Sequence, residues 1–118
     1  PSHMASAERA AEVPHVVEFL RARGHKIEPL RTTRETFEGM GDGLWHPGRR
    51  LLWAGLGPRS SEAAWRELGL RYRLPVVTLE LEDPDFYHLD TCLALLAEDA
   101  CLWFPAAFTR EGQKLVAA

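Results

Sequence analysis

Residues 51–81 read LLWAGLGPRSSEAAWRELGLRYRLPVVTLEL, and this stretch decides the fold. Its apolar beginning, 51–54, predicts a β-strand. Its middle predicts a helix, because apolar residues recur at helical spacing and Ser60 or Ser61 is suited to the N-cap position. Its end, 75–81, predicts a second strand in which alternate side chains share one face. Strand, helix and strand in this order indicate an α/β fold.

A hairpin extends this stretch on its N-terminal side. Leu44-Trp45 precedes it, and the intervening turn is rich in Pro and Gly, which predicts a β-hairpin. The hairpin–helix–strand unit over 43–81 recurs in part downstream. There, residues 86–104 predict a second hairpin, with a turn over 97–100, and Thr109 is placed to cap a last helix. An incomplete repeat of about 45 residues is typical of modular α/β arrays.

The N-terminal part is predicted to contain one helix and one short strand before this unit. Residues 7–24 predict a helix whose regular part begins near Val13 and stops at Gly24. Residues 26–30 then predict a short strand. The opening residues 1–4 (Pro-Ser-His-Met) have the appearance of an expression-tag remnant, so we expect one domain over 5–118.

Composition excludes several classes of protein. The chain has 118 residues, of which 46% are hydrophobic and 26% charged, with a formal net charge of −3. These values are typical of a globular domain and show no basic stripe for nucleic acid or for a membrane surface. The start has no basic region followed by an apolar core, and the two cysteines are too few for a disulfide framework. We therefore expect a cytoplasmic protein with reduced thiols.

Two stretches concentrate polar groups. In Phe86-Tyr87-His88-Leu89-Asp90-Thr91-Cys92, a strand would place His88, Asp90 and Cys92 on one face, with about 7 Å between successive members. An imidazole there can move protons near neutral pH and a carboxylate can hold a cation. A metal site is an alternative, but only three candidate ligands are local, so we expect no metal.

The second stretch, 36–43, interleaves three glycines with two carboxylates. Glycine lets the backbone approach a ligand closely, and Glu38 and Asp42 would be presented from a bend. A solvated acidic turn is the alternative interpretation. The glycines at 55 and 57 lack the spacing of a dinucleotide-binding or phosphate-binding loop.

Three segments, 37–42, 55–61 and 86–91, occur in an order and spacing that resemble the guanidine-modifying (pentein) superfamily. This superfamily includes dimethylarginine dimethylaminohydrolases, arginine deiminases and amidinotransferases. The resemblance runs from about Val13 to the end of the chain. It implies a propeller of ββαβ modules, of which this chain would form two to three, a partial α/β-propeller. It also implies a cysteine nucleophile that attacks the guanidinium carbon.

The resemblance implies a role for five residues. His88 would be the general acid/base, and Glu38 would be the loop carboxylate that binds the guanidinium or orients the histidine. Asp90 and Asp42 would help to bind the substrate, and Arg59 would pair with the substrate's carboxylate. These roles suit a cationic substrate and a forked guanidinium donor.

The chain departs from this pattern in two respects. Met40 is an extra residue in the acidic loop, and no cysteine stands where the family places its nucleophile. Cys92 would lie about 13 Å from His88 on an extended strand, and Cys101 follows the second turn, so both are expected to be core residues.

We therefore expect a guanidino-group hydrolase or transferase domain that is catalytically incomplete and uses no cofactor. The partners implied are an arginine-like small molecule and either a second copy or a chain that supplies missing modules. The alternative is a non-catalytic binding or oligomerisation module with the same fold.

Overall fold

Helices and strands alternate along the chain in a computed structural model that describes residues 1–32 and 34–118. Short 3-10 turns occupy Leu89–Thr91 and Pro105–Ala107. The helices and strands, in chain order, are α1 (Ala7–Ala10), α2 (Val13–Ala22), β1 (Gly43–Trp45), β2 (Leu52–Leu56), α3 (Glu62–Tyr72), β3 (Val76–Glu80), β4 (Leu93–Ala97), β5 (Ala100–Trp103) and α4 (Arg110–Ala117).

The predicted hairpin–helix–strand unit is confirmed. Strand β1 pairs antiparallel with β2, and β2 pairs parallel with β3, with Ala54 opposite Thr78. Helix α3 provides the crossover that a parallel pair requires. Ser61, rather than Ser60, caps this helix by accepting a hydrogen bond from the N–H of Ala64. The helix continues through Gly69 and ends at Arg73, whose φ of +49° is left-handed.

The sheet is apolar on both faces. Leu52 and Ala54 of β2 pack against Trp65 of α3, and all three are buried. The opposite face carries Val77, Leu79 and Leu81, as the alternation predicts, and packs against the second hairpin and α4. The buried residues of this larger cluster are Leu79, Leu89, Cys92, Leu93, Ala107 and Phe108.

The second hairpin and the last helix are also confirmed. Strands β4 and β5 pair antiparallel, with Leu93 opposite Trp103 and a register shift before the turn. Thr109 caps α4 by accepting from the N–H of Gly112. A bridge between Leu81 and Phe108 joins this half to the first sheet.

Three predictions of regular structure need correction. The segment 26–30 forms no strand, because its groups bond to α3 instead: the Pro29 carbonyl accepts from Arg71 and the Glu28 carboxylate accepts from Tyr72. The helix over 7–24 is divided into α1 and α2, which agrees with the predicted start at Val13. It stops at Gly24, which has a φ of +81°.

The strand predicted over 86–92 is also wrong. Residues 86–88 join no strand, and a 3-10 turn follows before β4 begins. The turn forms because the backbone N–H of Leu89 donates to a buried carboxylate and its side chain enters the core. His88, Asp90 and Cys92 consequently do not share a strand face.

Two features are absent from the described part of the chain. No helix there is long and apolar enough to cross a membrane. Residues 1–32 and 34–118 also contain no group of three or more His, Cys, Asp or Glu side chains arranged to hold a metal ion.

Candidate active site

The acidic loop reaches the site through a tight turn before β1. Gly39 has a φ of +79°, and the N–H of Asp42 donates to the Gly39 carbonyl at 3.0 Å. Phe37 anchors the start of the loop by packing edge-on against Trp65, with 4.9 Å between ring centroids. The predicted bend is therefore confirmed, and it directs Glu38 and Asp42 inward.

Asp42 is a buried carboxylate that connects three segments of the chain. Its side chain is 2% exposed. Its Oδ2 atom accepts a hydrogen bond from the Ser60 hydroxyl at 2.6 Å, and its Oδ1 atom accepts from the Leu89 N–H at 3.1 Å. Its backbone carbonyl accepts from the N–H of Gly55 at 2.7 Å. The carboxylate is thus satisfied by donors of the protein itself.

The His88 ring lies between the two acids of the loop. Its Nε2 atom is 3.3 Å from Glu38 Oε2, and its Nδ1 atom is 3.2 Å from Asp42 Oδ2. The approach at Nδ1 is not aligned for a hydrogen bond, although that atom is buried, so the contact with Asp42 is mainly electrostatic. The ring packs directly on Gly41, where even a β-carbon would lie 2.8 Å from Cγ.

Glu38 is buried and held in its ionised form. Burial opposes ionisation, but a hydrogen bond from the Ala5 N–H and the guanidinium of Arg59 outweigh it, so the pKa of Glu38 is lowered. The Ala5 N–H donates to Oε1 at 2.9 Å, and Arg59 donates to Oε2 at 3.0 Å. The alternative of a solvated acidic turn does not fit, because the Glu38 side chain is 7% exposed.

Arg59 is placed beside the histidine by the loop after β2. Its guanidinium pairs with Glu38 and lies over the ring of Tyr87, 5.0 Å from the centroid. Tyr87 in turn contacts the imidazole, with 5.1 Å between ring centroids. Four of the five predicted site residues therefore meet at one place, namely Glu38, Asp42, Arg59 and His88.

Asp90 is the predicted residue that stays apart. Asp90 is exposed, and its backbone N–H donates to the Gly41 carbonyl at 2.9 Å. Among the described residues, its carboxylate has no hydrogen-bond donor. Asp90 lies in the 3-10 turn Leu89–Thr91, and no ion pair or hydrogen bond between side chains of the described residues joins it to the cluster.

Cys92 has the character of a core residue. It is 5% exposed, and its thiol lies 3.5 Å from the Leu89 carbonyl oxygen. Burial raises the pKa of the Cys92 thiol to about 11. A thiol in this state is a poor nucleophile at neutral pH.

Sequence reasoning missed two residues of the site. Ser60 was considered only as a helix cap, although its 1% exposed hydroxyl contacts both acidic residues of the loop. Gly41 was interpreted as one of three glycines that let the backbone approach a ligand, whereas its importance is the space that it leaves for His88. Their positions beside Arg59 and Asp42 within the quoted motifs were the available signal.

The geometry supports binding of a cation and transfer of a proton. A buried carboxylate with a lowered pKa offers negative charge, and an imidazole lies within reach of the same oxygen. Aromatic and carboxylate groups together favour a planar cation such as a guanidinium, which Arg59 already exemplifies.

Comparison with known proteins identifies relatives of this chain. An N(G),N(G)-dimethylarginine dimethylaminohydrolase of Mycobacterium tuberculosis is 41% identical over 111 residues, which are 94% of this chain and 35% of that protein. The bifunctional arginine dihydrolase/ornithine cyclodeaminase AgrE of a Nostoc species is 37% identical over 109 residues, or 92% of this chain and 15% of that protein. The chain is thus a homologue, over part of their length, of the guanidine-modifying (pentein) proteins.

A solved structure agrees with this relationship. The N-terminal domain of ArgZ, an arginine dihydrolase of cyanobacteria, superposes with a TM-score of 0.90 at 33% identity, covering 98% of this chain and 42% of that one. This confirms the α/β fold and the resemblance seen in the motifs. No family model matches the sequence. The chain spans about a third of the dimethylarginine hydrolase, at 35% of its length.

The contact between Gly41 and His88 predicts a selective effect of one methyl group. Gly41→Ala should displace the imidazole and change its NMR signals, because the added carbon would lie 2.8 Å from the ring. Gly57→Ala is the matched control, since its added carbon meets the nearest side-chain atoms at an ordinary 3.8 Å. Unchanged His88 signals in Gly41→Ala would show that the ring does not rest on this glycine.

The buried thiol predicts slow alkylation. In a Cys101→Ala background, Cys92 should react slowly with iodoacetamide at neutral pH and faster as the pH approaches about 11, because only the thiolate reacts. Denaturant should remove this protection. Equal rates for the native and unfolded chains at neutral pH would contradict the burial and restore Cys92 as a candidate nucleophile.

Proposed function

We propose that this chain supplies the carboxylate–histidine part of the active site of a guanidine-modifying enzyme of the dimethylarginine hydrolase or arginine dihydrolase type. The observation that carries the proposal is the shared oxygen of Glu38. Its Oε2 atom lies 3.0 Å from the Arg59 guanidinium and 3.3 Å from His88 Nε2. One carboxylate oxygen therefore contacts both a guanidinium group and an imidazole, which can carry a proton.

Glu38 is the guanidinium ligand in this proposal. It is ionised, shielded from solvent and already paired with a guanidinium. The guanidinium of an arginine-like substrate matches that of Arg59 in shape and charge, so it can replace Arg59 at the Glu38 carboxylate. Arg59 would then turn to pair with the substrate's own carboxylate. Arg59 is suited to that second role because its side chain is about a third exposed, at 32%.

His88 is the general acid/base. It would protonate the amine that leaves the guanidino carbon and then activate the water that releases the product. The ring is only 17% exposed, and the packing on Gly41 limits its rotation. Asp42, whose oxygens are occupied by protein donors, would keep the loop in shape rather than contact the substrate. Asp90 would contact substrate only from the rim of the site.

The nucleophile would come from another segment. Cys92 is buried, and its thiol faces backbone carbonyls. Among the related structures, ArgZ with bound substrate and AgrE with bound L-arginine both carry a replaced cysteine. These relatives support a cysteine-dependent reaction for which this chain would provide the acid/base and the cation ligand.

The fold is proposed to be a partial propeller. The unit β1–β2–α3–β3 is complete, whereas β4–β5–α4 is the same unit without its last strand. The second hairpin also presents large exposed apolar side chains, namely Leu96, Leu102 and Phe104. Such a surface is suited to a further module or to a partner chain. This observation also favours the alternative, a binding or oligomerisation module without catalysis.

The first test concerns recognition of the cation. L-Arginine and dimethylarginine should shift the NMR signals of the His88 ring and the 38–42 loop, and Glu38→Gln should remove these shifts because it removes the charge. Glu98→Gln is the matched control, since Glu98 also pairs with an arginine but lies on the second turn. Shifts that survive Glu38→Gln would reject Glu38 as the ligand.

The same preparation tests catalysis. The chain by itself should release no citrulline from arginine or methylated arginines. Turnover should appear when a segment with the cysteine is supplied, and His88→Gln should then abolish it. Citrulline release by the chain alone that Cys92→Ala stops would contradict the proposed origin of the nucleophile. Binding without turnover in any combination would favour the non-catalytic module.

The exposed hairpin predicts self-association of the isolated chain. Light scattering at micromolar concentration should show oligomers, and Leu102→Glu should dissociate them by placing a charge on the apolar surface. Leu70→Glu, at a similarly exposed position of α3, should have little effect. A monomer at these concentrations would exclude a second copy as the partner.

A further inference from the structure

Ser60 lies at the centre of the network, between the two acids that flank His88. Its hydroxyl is within 2.6 Å of Asp42 Oδ2 and within 3.1 Å of the Glu38 backbone nitrogen. A backbone N–H can only donate, so the hydroxyl accepts from Glu38 and gives its own proton to Asp42. The direction of the Ser60–Asp42 hydrogen bond is therefore fixed by its surroundings.

The oxygen that receives this proton is the one that faces the imidazole. Asp42 Oδ2 is 3.2 Å from His88 Nδ1, and the other carboxylate oxygen is bound to the Leu89 N–H. The Ser60 hydroxyl and, in the tautomer protonated at Nδ1, the ring N–H face the same oxygen, and a hydrogen bond from one weakens that oxygen as an acceptor for the other. The hydroxyl has the better geometry, since the ring nitrogen forms no aligned hydrogen bond there.

The carboxylate on the opposite side of the ring also accepts a hydrogen bond from a second donor. Glu38 Oε2, which faces Nε2, carries a hydrogen bond from Arg59. Each carboxylate oxygen beside the imidazole therefore has a second donor that weakens its attraction for the ring proton. Tyr87 also contacts the ring, with 5.1 Å between ring centroids.

We propose that Ser60 is a positioning residue that keeps the His88 proton from being fixed on Nδ1. By occupying Asp42 Oδ2, its hydroxyl leaves Nε2, the nitrogen that faces Glu38, able to gain and lose the proton. This inference rests on the proposed function only for the use of that proton in catalysis. The tautomer itself can be measured without any substrate.

Ser60→Ala tests the proposal through the nitrogen-15 signals of the His88 ring at alkaline pH, where the imidazole is neutral. Removal of the hydroxyl should shift the tautomer balance toward Nδ1–H, because Asp42 Oδ2 becomes a stronger acceptor. His88→Gln assigns the signals among the five histidines of the chain. Ser61→Ala is the matched control: this neighbouring serine caps α3 and contacts neither acid.

Ser60→Cys separates hydrogen bonding from packing, and it also serves if the alanine variant unfolds. A thiol fills similar space but is a weak donor, so the tautomer balance should move in the same direction as in Ser60→Ala. A balance that stays at the wild-type value in Ser60→Cys, or that moves equally in Ser61→Ala, would overturn the proposal. If the tautomer balance shifts in Ser60→Ala but no preparation binds a guanidine compound or turns it over, the positioning role stands and the proposed function is rejected.

Discussion

One buried carboxylate holds the candidate site together. Asp42 binds Ser60 from the loop after β2 and Leu89 from the segment before β4, while its own backbone continues into β1. Hydrogen bonds to a charged group contribute about 1.5–3 kcal/mol each, and leaving such a group without partners in the interior costs more. The three segments can therefore separate only if that charge loses its partners. Glu38, Arg59 and His88 take their positions from this connection.

The sheet determines why these segments meet. Strand β2 lies between β1 and β3, so the loop that enters β1 and the loop that leaves β2 lie at the same end of the antiparallel pair. Helix α3 starts at this end, and its cap at Ser61 fixes the backbone next to Ser60. The second hairpin covers the other face of β3 and brings the His88 segment over the same end. The polar cluster is thus a consequence of strand order.

Periodicity predicted the regular elements well, because apolar alternation and serine or threonine caps are local signals. The unit over 43–81 and the cap at Thr109 are both present. The strand proposed over 86–92 failed because the competing interaction is distant in sequence: Asp42 binds the Leu89 N–H and removes it from strand pairing. No local pattern contains this information.

The site itself was predicted unevenly for a related reason. The motifs identified Glu38 and His88, whose residue types reveal their chemistry, and the structure brings them to within 3.3 Å. They did not reveal Ser60 or the packing on Gly41, since the importance of a small residue depends on what is placed against it. Asp90 came from the same motif as His88, and it lies exposed in the 3-10 turn that replaces the predicted strand.

The charges of the cluster limit which ligand can take the place of Arg59 at Glu38. Glu38 and Asp42 carry two negative charges, and Arg59 carries one positive charge beside Glu38. The two carboxylates outnumber the guanidinium that faces them, and buried charges require partners. In the proposed function the substrate's guanidinium replaces that of Arg59 at Glu38, so the positive charge beside this carboxylate is kept while Arg59 becomes free to pair with the substrate's carboxylate. A ligand without positive charge is disfavoured, because Glu38 would lose its cationic partner once Arg59 turned away.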